Sequence, residues 1–267
     1  MKIATLLIAA TALVPAAASA TGTSPLAGWT LDSTNYVQDF DALAATGTSN
    51  VLPAGFQIVE IGDGSAADGR YAAGTGSANG GNAYSFGAAG SSDRALGSLA
   101  SGSVEQVYLG GLFTNGLGAT ISDLAFAFTG EQWRAGNSSN DGLFFEYSLD
   151  ATALDNGSWT ALGALDFLPL VLSGNAALDG NANSTAISAA LSGLSIEAGQ
   201  SFAFRWVDYN SSANDHGLAI DDLSIAATLA QSPAVPEPAT WAMLTLGFGL
   251  MGGALRAGKR SGRLTFA

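Results

Sequence analysis

Apolar residues alternate with a period of two through much of the chain. Phe202, Phe204 and Trp206 fall on one face of an extended segment, and Ala203, Arg205 and Val207 on the other. Leu124, Phe126 and Phe128 repeat the pattern, as do Leu143, Phe145 and Tyr147. The same reading predicts strands over 56–61, 104–113, 159–165, 186–191 and 217–226. Gly/Ser/Asn clusters at 74–82, 136–142 and 210–214 separate them as turns. No stretch between 21 and 230 keeps an apolar period of 3.6 over a dozen residues. The expected fold is therefore all-β, a two-sheet sandwich of jelly-roll or lectin-like type. A solenoid of Gly/Asp-rich repeats is the alternative, and it lacks the fixed period such a fold requires.

The last predicted strand, HGLAIDDLSIAAT, changes parity. Leu218 and Ile220 point one way, whereas Leu223 and Ile225 have the opposite phase. A β-bulge at Asp221-Asp222 would return both pairs to one core and re-aim two carboxylates.

The two ends read as addresses. Residues 1–20 carry Lys2, an apolar run from Ile3 to Val14 and then Ala18-Ser19-Ala20, the order of a secretory signal helix. The β-sandwich domain is expected over 21–230 and a Pro-bounded linker over 231–235. Residues 236–267 then hold Pro236-Glu237-Pro238, an apolar helix over 239–255 with Trp241 near its start, and the basic residues Arg256, Lys259 and Arg260. That helix is at the short end of the ~17–25 residues that span a bilayer, with its basic end cytoplasmic. The expectation is a transmembrane helix, a transient inner-membrane anchor and an outward-facing body.

The inventory limits the chemistry. The 267 residues include 22 acids against 9 bases, a net charge of −13, with no Cys, one His and 12% charged residues. Nucleic-acid binding needs a basic face and is not expected. Thiolate nucleophiles, Cys-based metal sites and multi-His centres are excluded by count. Lys2 and Lys259 both lie in the end segments, so the body has no Lys amine.

Pro236, Glu237, Pro238, Trp241, the Gly-rich apolar helix and the closing Arg256, Lys259 and Arg260 together resemble the PEP-CTERM sorting signal of Gram-negative bacteria. The resemblance implies recognition by an exosortase, a membrane-embedded transpeptidase, and delivery to the cell surface where exopolysaccharide and biofilm matrix are made. A simple single-pass anchor is the alternative. The segments FDALAATGTSN, AYSFGAAGSSDRALGSL, FTGEQWRAGN, FFEYSLDAT and HGLAIDDLSI are similar to an accessory β-sandwich module of secreted bacterial proteins. IDDLSI is also similar to the final strand of jelly-roll carbohydrate-binding and adhesion modules, several of which hold a structural calcium there.

The resulting site expectations are few. Asp221 and Asp222 are the candidate calcium ligands, with Asp39 and Asp41 on an early strand that the fold could bring close, because calcium takes hard oxygens. Asp179-x-Asn181-x-Asn183 starts a calcium-loop spacing without its Gly or closing Glu. Trp133 and Tyr209 border polar loops and are candidate sugar platforms, with burial in the core as the alternative. Arg134 and Arg205 are expected to pair with acids such as Glu131 and Asp208. His216 sits in NDHG without a nucleophile motif, so no catalytic residue is expected. The predicted role is a non-enzymatic binding or structural module. A calcium-dependent lectin and a β-sandwich glycosidase are the alternatives.

Overall fold

The computed structural model describes residues 28–231 and the backbone of 238–258, with side chains over 239–256. The segment 1–20, the linker residues 232–235 and Pro236, Glu237, Lys259 and Arg260 lie outside the described residues. Cα packing divides the chain into two compact units, Met1–Ala230 and Gln231–Ala267.

In the first unit the strands are β1 (Trp29–Leu31), β2 (Asn35–Gln38), β3 (Thr48–Ser49), β4 (Phe56–Ile61) and β5 (Tyr71–Gly74). Next come β6 (Asn82–Phe86), β7 (Ala95–Leu99), β8 (Gln106–Asn115), β9 (Ile121–Ala135) and β10 (Leu143–Ser148). The series closes with β11 (Thr160–Ala161), β12 (Ala176–Ala177), β13 (Ser184–Ile196), β14 (Ser201–Tyr209) and β15 (Gly217–Leu229). One sheet runs β1-β8-β14-β10-β11, with β4 also on β8. The other runs β12-β9-β15-β7-β6-β5-β3, with β13 on β9 and β2 on β15. The expected two-sheet sandwich is observed.

The period-two residues meet between the sheets. Phe202, Phe204 and Trp206 from the first sheet are buried against Leu124, Phe126 and Phe128 from the second. Phe126 lies edge-on to Phe204 at 5.3 Å between ring centroids, and Phe128 to Trp206 at 5.0 Å. Such edge-to-face pairs add about 0.5–1.5 kcal/mol each beyond area burial.

The bulge is present. Asp221 pairs with Thr129 and Ser224 with Ala127, so Asp222 and Leu223 of β15 together oppose Phe128 of β9. Asp222 takes φ 49°, a left-handed conformation that Asp tolerates better than most residues. Leu218, Ile220, Leu223 and Ile225 all reach the core as a result. The segment 159–165 departs from expectation, because pairing with β10 lasts only two residues. A 3-10 turn over Gly163–Leu165 then sends Leu165 into the core, where its carbonyl accepts the Trp206 Nε1–H at 3.2 Å.

The second unit contains a helix, α1 (Pro238–Gly258). The Thr245 hydroxyl is satisfied inside it, donating to the carbonyls of Trp241 and Ala242 at 2.9 Å each. The expectation of a membrane-spanning helix over 239–255 is corrected in one respect. The helix forms, but among the described residues no helix is long and apolar enough to cross a membrane. Thr240, Thr245 and the glycines at 247, 249, 252 and 253 dilute its apolar character.

Candidate functional site

Asp221 and Asp222 leave the bulge in different directions. Asp221 is buried, and its Oδ1 accepts the Asp222 N–H at 2.8 Å. Burial pushes its carboxyl up to about 8, and the nearby charges of Glu131, Asp222 and Asp93 push the same way. Asp222 is exposed and lines a surface depression of about 340 Å³ with Gln38 and Asp39. Asp41 is used elsewhere, its Oδ1 accepting the Arg94 N–H at 3.1 Å. Among the described residues no group of three His, Asp or Glu side chains is arranged to hold a metal. A calcium at Asp222 and Asp39 would therefore draw its remaining oxygens from Gln38, main-chain carbonyls and water.

Trp133 is not an exposed platform. It is 3% exposed, and its Nε1–H donates to Glu131 Oε2 at 2.8 Å. It joins Tyr84, Phe86 and Ala219 in a small core on the outer face of the second sheet, stacked on Phe86 at 6.2 Å. The adjacent Glu131 carboxyl is raised to about 7 by burial, against the lowering effect of that Trp133 hydrogen bond. Tyr209 does stand at the surface, 41% exposed, with the Phe144 ring 6.1 Å away.

The arginine pairings differ from expectation. Arg205 bonds Glu146, across the β10–β14 register, rather than Asp208. Arg134 serves main-chain carbonyls, those of Gly76 at 3.1 Å, Ser77 at 3.4 Å and Asn175 at 3.2 Å. Each guanidinium takes acceptors brought to it by a paired strand or by loops distant in sequence, which sequence spacing does not reveal.

His216 is buried with both ring nitrogens engaged. Gly136 N–H donates to Nδ1 at 2.8 Å, so Nε2 bears the proton and donates to the Ser138 carbonyl at 3.0 Å. Its main-chain N–H bonds Asp141, and Asp215 Oδ1 accepts the Ser211 N–H at 3.1 Å. Asp208 is completely enclosed and accepts the Ser98 hydroxyl at 2.7 Å. Burial holds the carboxyls of Asp141 and Asp208 above the usual range and lifts Asp215 to about 6. This group sits where β15 begins and ties the 136–142 loop to the end of β14.

Beside it opens a cleft of about 460 Å³, lined by Asn79, Asn175, Asn210, Asn214, Arg134 and Asp215 above the buried Leu99 and Ala100. Asn79, Asn210 and Asn214 come from segments that the sequence marks only as turns, and Asn175 from a stretch the sequence does not mark at all. An Asn in a turn is explained by backbone geometry alone, so no sequence signal separates a lining amide from a structural one.

An all-β body followed by a Pro-Glu-Pro segment, an apolar helix and a basic end defines an exported protein with a C-terminal sorting segment. Residues 234–260 match the PEP-CTERM protein-sorting motif, and the chain carries that signal. The motif marks a protein processed by an exosortase-type system. Three solved structures are similar to the body. The K2 cleaved adhesin domain of Lys-gingipain has 13% identity and a TM-score of 0.39, over 73% of this chain and 98% of that domain. The K3 domain from Porphyromonas gingivalis has 16% identity and a TM-score of 0.39, over 65% and 92%. The CBM22-1 xylan-binding domain of Paenibacillus barcinonensis Xyn10C has 11% identity and a TM-score of 0.32, over 73% and 95%. A search among curated proteins found no match.

Proposed function

We propose that a leader over 1–20 exports this chain and that an exosortase-type system processes it through Pro236, Glu237 and Pro238. It then acts at the cell envelope as a non-enzymatic binding or structural module of the exopolysaccharide matrix. The observation that carries this reading is the sorting motif over 234–260, with α1 and Arg256 where the motif needs a helix and a positive charge. The enclosed His216, with both nitrogens committed, supports a non-enzymatic role because a triad base must reach substrate.

The test replaces Glu237 and its flanking prolines by alanine in the native host. Export continues, full-length protein accumulates with the cells, and the processed extracellular form disappears. Unchanged release of a shortened protein would refute the assignment.

A second reading, a calcium-dependent lectin, is favoured by the depression that Asp222 shares with Asp39. Its ligands would be hard oxygens throughout, and its low carboxylate count matches the weaker extracellular calcium modules, with Kd about 10⁻⁴–10⁻³ M.

A further inference from the structure

We propose that the cleft beside β14 binds a neutral polyhydroxylated ligand, a short saccharide, through the amides of Asn79, Asn210, Asn175 and Asn214. This deepens the binding-module reading and rests on it.

The lining determines the ligand class. Among the described residues, the side-chain amides of Asn79 and Asn210 have no hydrogen bond within the protein, and both residues are exposed on the cleft. Asn214 Nδ2 donates to Asn175 Oδ1 at 3.0 Å, which fixes the two amides against each other. Asn214 then presents its oxygen as acceptor, and Asn175 its NH₂ group as donor. A sugar hydroxyl both donates and accepts, so it matches an amide at either end.

Ions fit poorly. The Arg134 guanidinium is committed to three main-chain carbonyls and leaves few N–H donors for an anion. Asp215 on the same wall, in a chain of net charge −13, repels one further. A metal would find one carboxylate here, already bonded to Ser211. Leu99 and Ala100 close the floor of the cleft and are themselves buried, so recognition falls to the amides on its rim, and the volume lies in the ~300–1,000 Å³ range of ligand pockets.

The backbone around the cleft is strained. Ala213 holds φ 84° and Asn175 φ 47°, and both line it. Left-handed backbone is unfavourable for alanine, and such strain accumulates at binding sites.

The test uses the full chain, titrated calorimetrically with maltose, cellobiose, lactose and chitobiose, and with a glucuronate-containing disaccharide as charged comparator. At least one neutral disaccharide binds, and the glucuronate analogue binds about ten-fold more weakly or less. Asn79→Ala and Asn210→Ala each weaken binding about five-fold, one hydrogen bond apiece, with the melting temperature unchanged. The absence of neutral binding at about 10 mM would overturn the assignment, as would equal affinity in the Asn79/Asn210 double variant or preferential binding of the glucuronate sugar. Release of the processed protein is followed in the same variants. Intact processing without sugar binding defeats this assignment alone, whereas failed processing of the unmodified protein defeats the sorting reading.

Discussion

Arg205 and Glu146 face each other across β14 and β10, with guanidinium nitrogen and carboxylate oxygen 2.6 Å apart. The same guanidinium lies between two rings, 4.2 Å from the centroid of Tyr108 and 4.0 Å from that of Trp159, and a further N–H reaches the Leu154 carbonyl. This one side chain pins the 149–159 loop onto the outer face of the first sheet.

Arg205→Lys keeps the charge and loses the planar stack and the forked donors. We expect a loss of about 2–3 kcal/mol in urea unfolding, more than a surface ion pair accounts for. A change below about 0.5 kcal/mol would show that the stack contributes nothing. Tyr108→Leu should recover part of the effect as coupling in a double-mutant cycle.

Burial holds several carboxyl groups above their unfolded values, which are about 4. Asp221 stands at about 8, Glu60 and Glu131 at about 7, and Asp215 at about 6. Glu60 is raised even though it accepts N–H groups from Asp68, Gly69 and Ala83 at 2.7–3.1 Å. At a pH between its unfolded and folded values, each group holds its proton in the folded state and loses it on unfolding. Its contribution is complete below about pH 4 and is lost as pH rises through the folded value.

The urea midpoint should therefore fall steadily between about pH 5 and pH 9. Asp221→Asn preserves the acceptor for the Asp222 N–H and removes the titration. It should stabilise by about 1 kcal/mol or more at pH 9 and by little at pH 5. A flat profile in the unmodified protein would disprove the raised values.

Calcium is tested at the bulge. At about 10 mM it should stabilise the folded chain by roughly 1–3 kcal/mol if the site binds in the range of extracellular modules. That corresponds to a melting shift of a few degrees for a body of this size. Asp222→Asn is the informative variant, since Asn also tolerates the left-handed backbone while losing the charge. The shift should drop by more than half in it and in Asp39→Asn. A melting temperature indifferent to calcium would remove the second reading.

The sequence carried many of the features that depend on neighbours along the chain, although the strand expected over 159–165 gave way to a two-residue pairing and a 3-10 turn. Side chains alternate across a strand, so the core triplets around Phe126, Phe145 and Phe204 were legible directly. The parity break in HGLAIDDLSI located the bulge, because only an extra residue returns Leu223 and Ile225 to the core occupied by Leu218 and Ile220. The sorting segment was legible for the same reason, its Pro-Glu-Pro, helix and basic residues being contiguous.

Tertiary structure alone decided what crosses sheets and loops. Trp133 borders a polar loop in sequence, yet Tyr84 and Phe86 from a distant hairpin enclose it. Arg205 met Glu146 instead of Asp208 through strand register, which alternation does not specify. Asn79, Asn175, Asn210 and Asn214 share one cleft because three separate loops end at the same rim of the sandwich. Local pattern sets which face a residue takes, whereas its neighbours on that face follow from strand order and loop path, which are settled by the burial of the whole core at once.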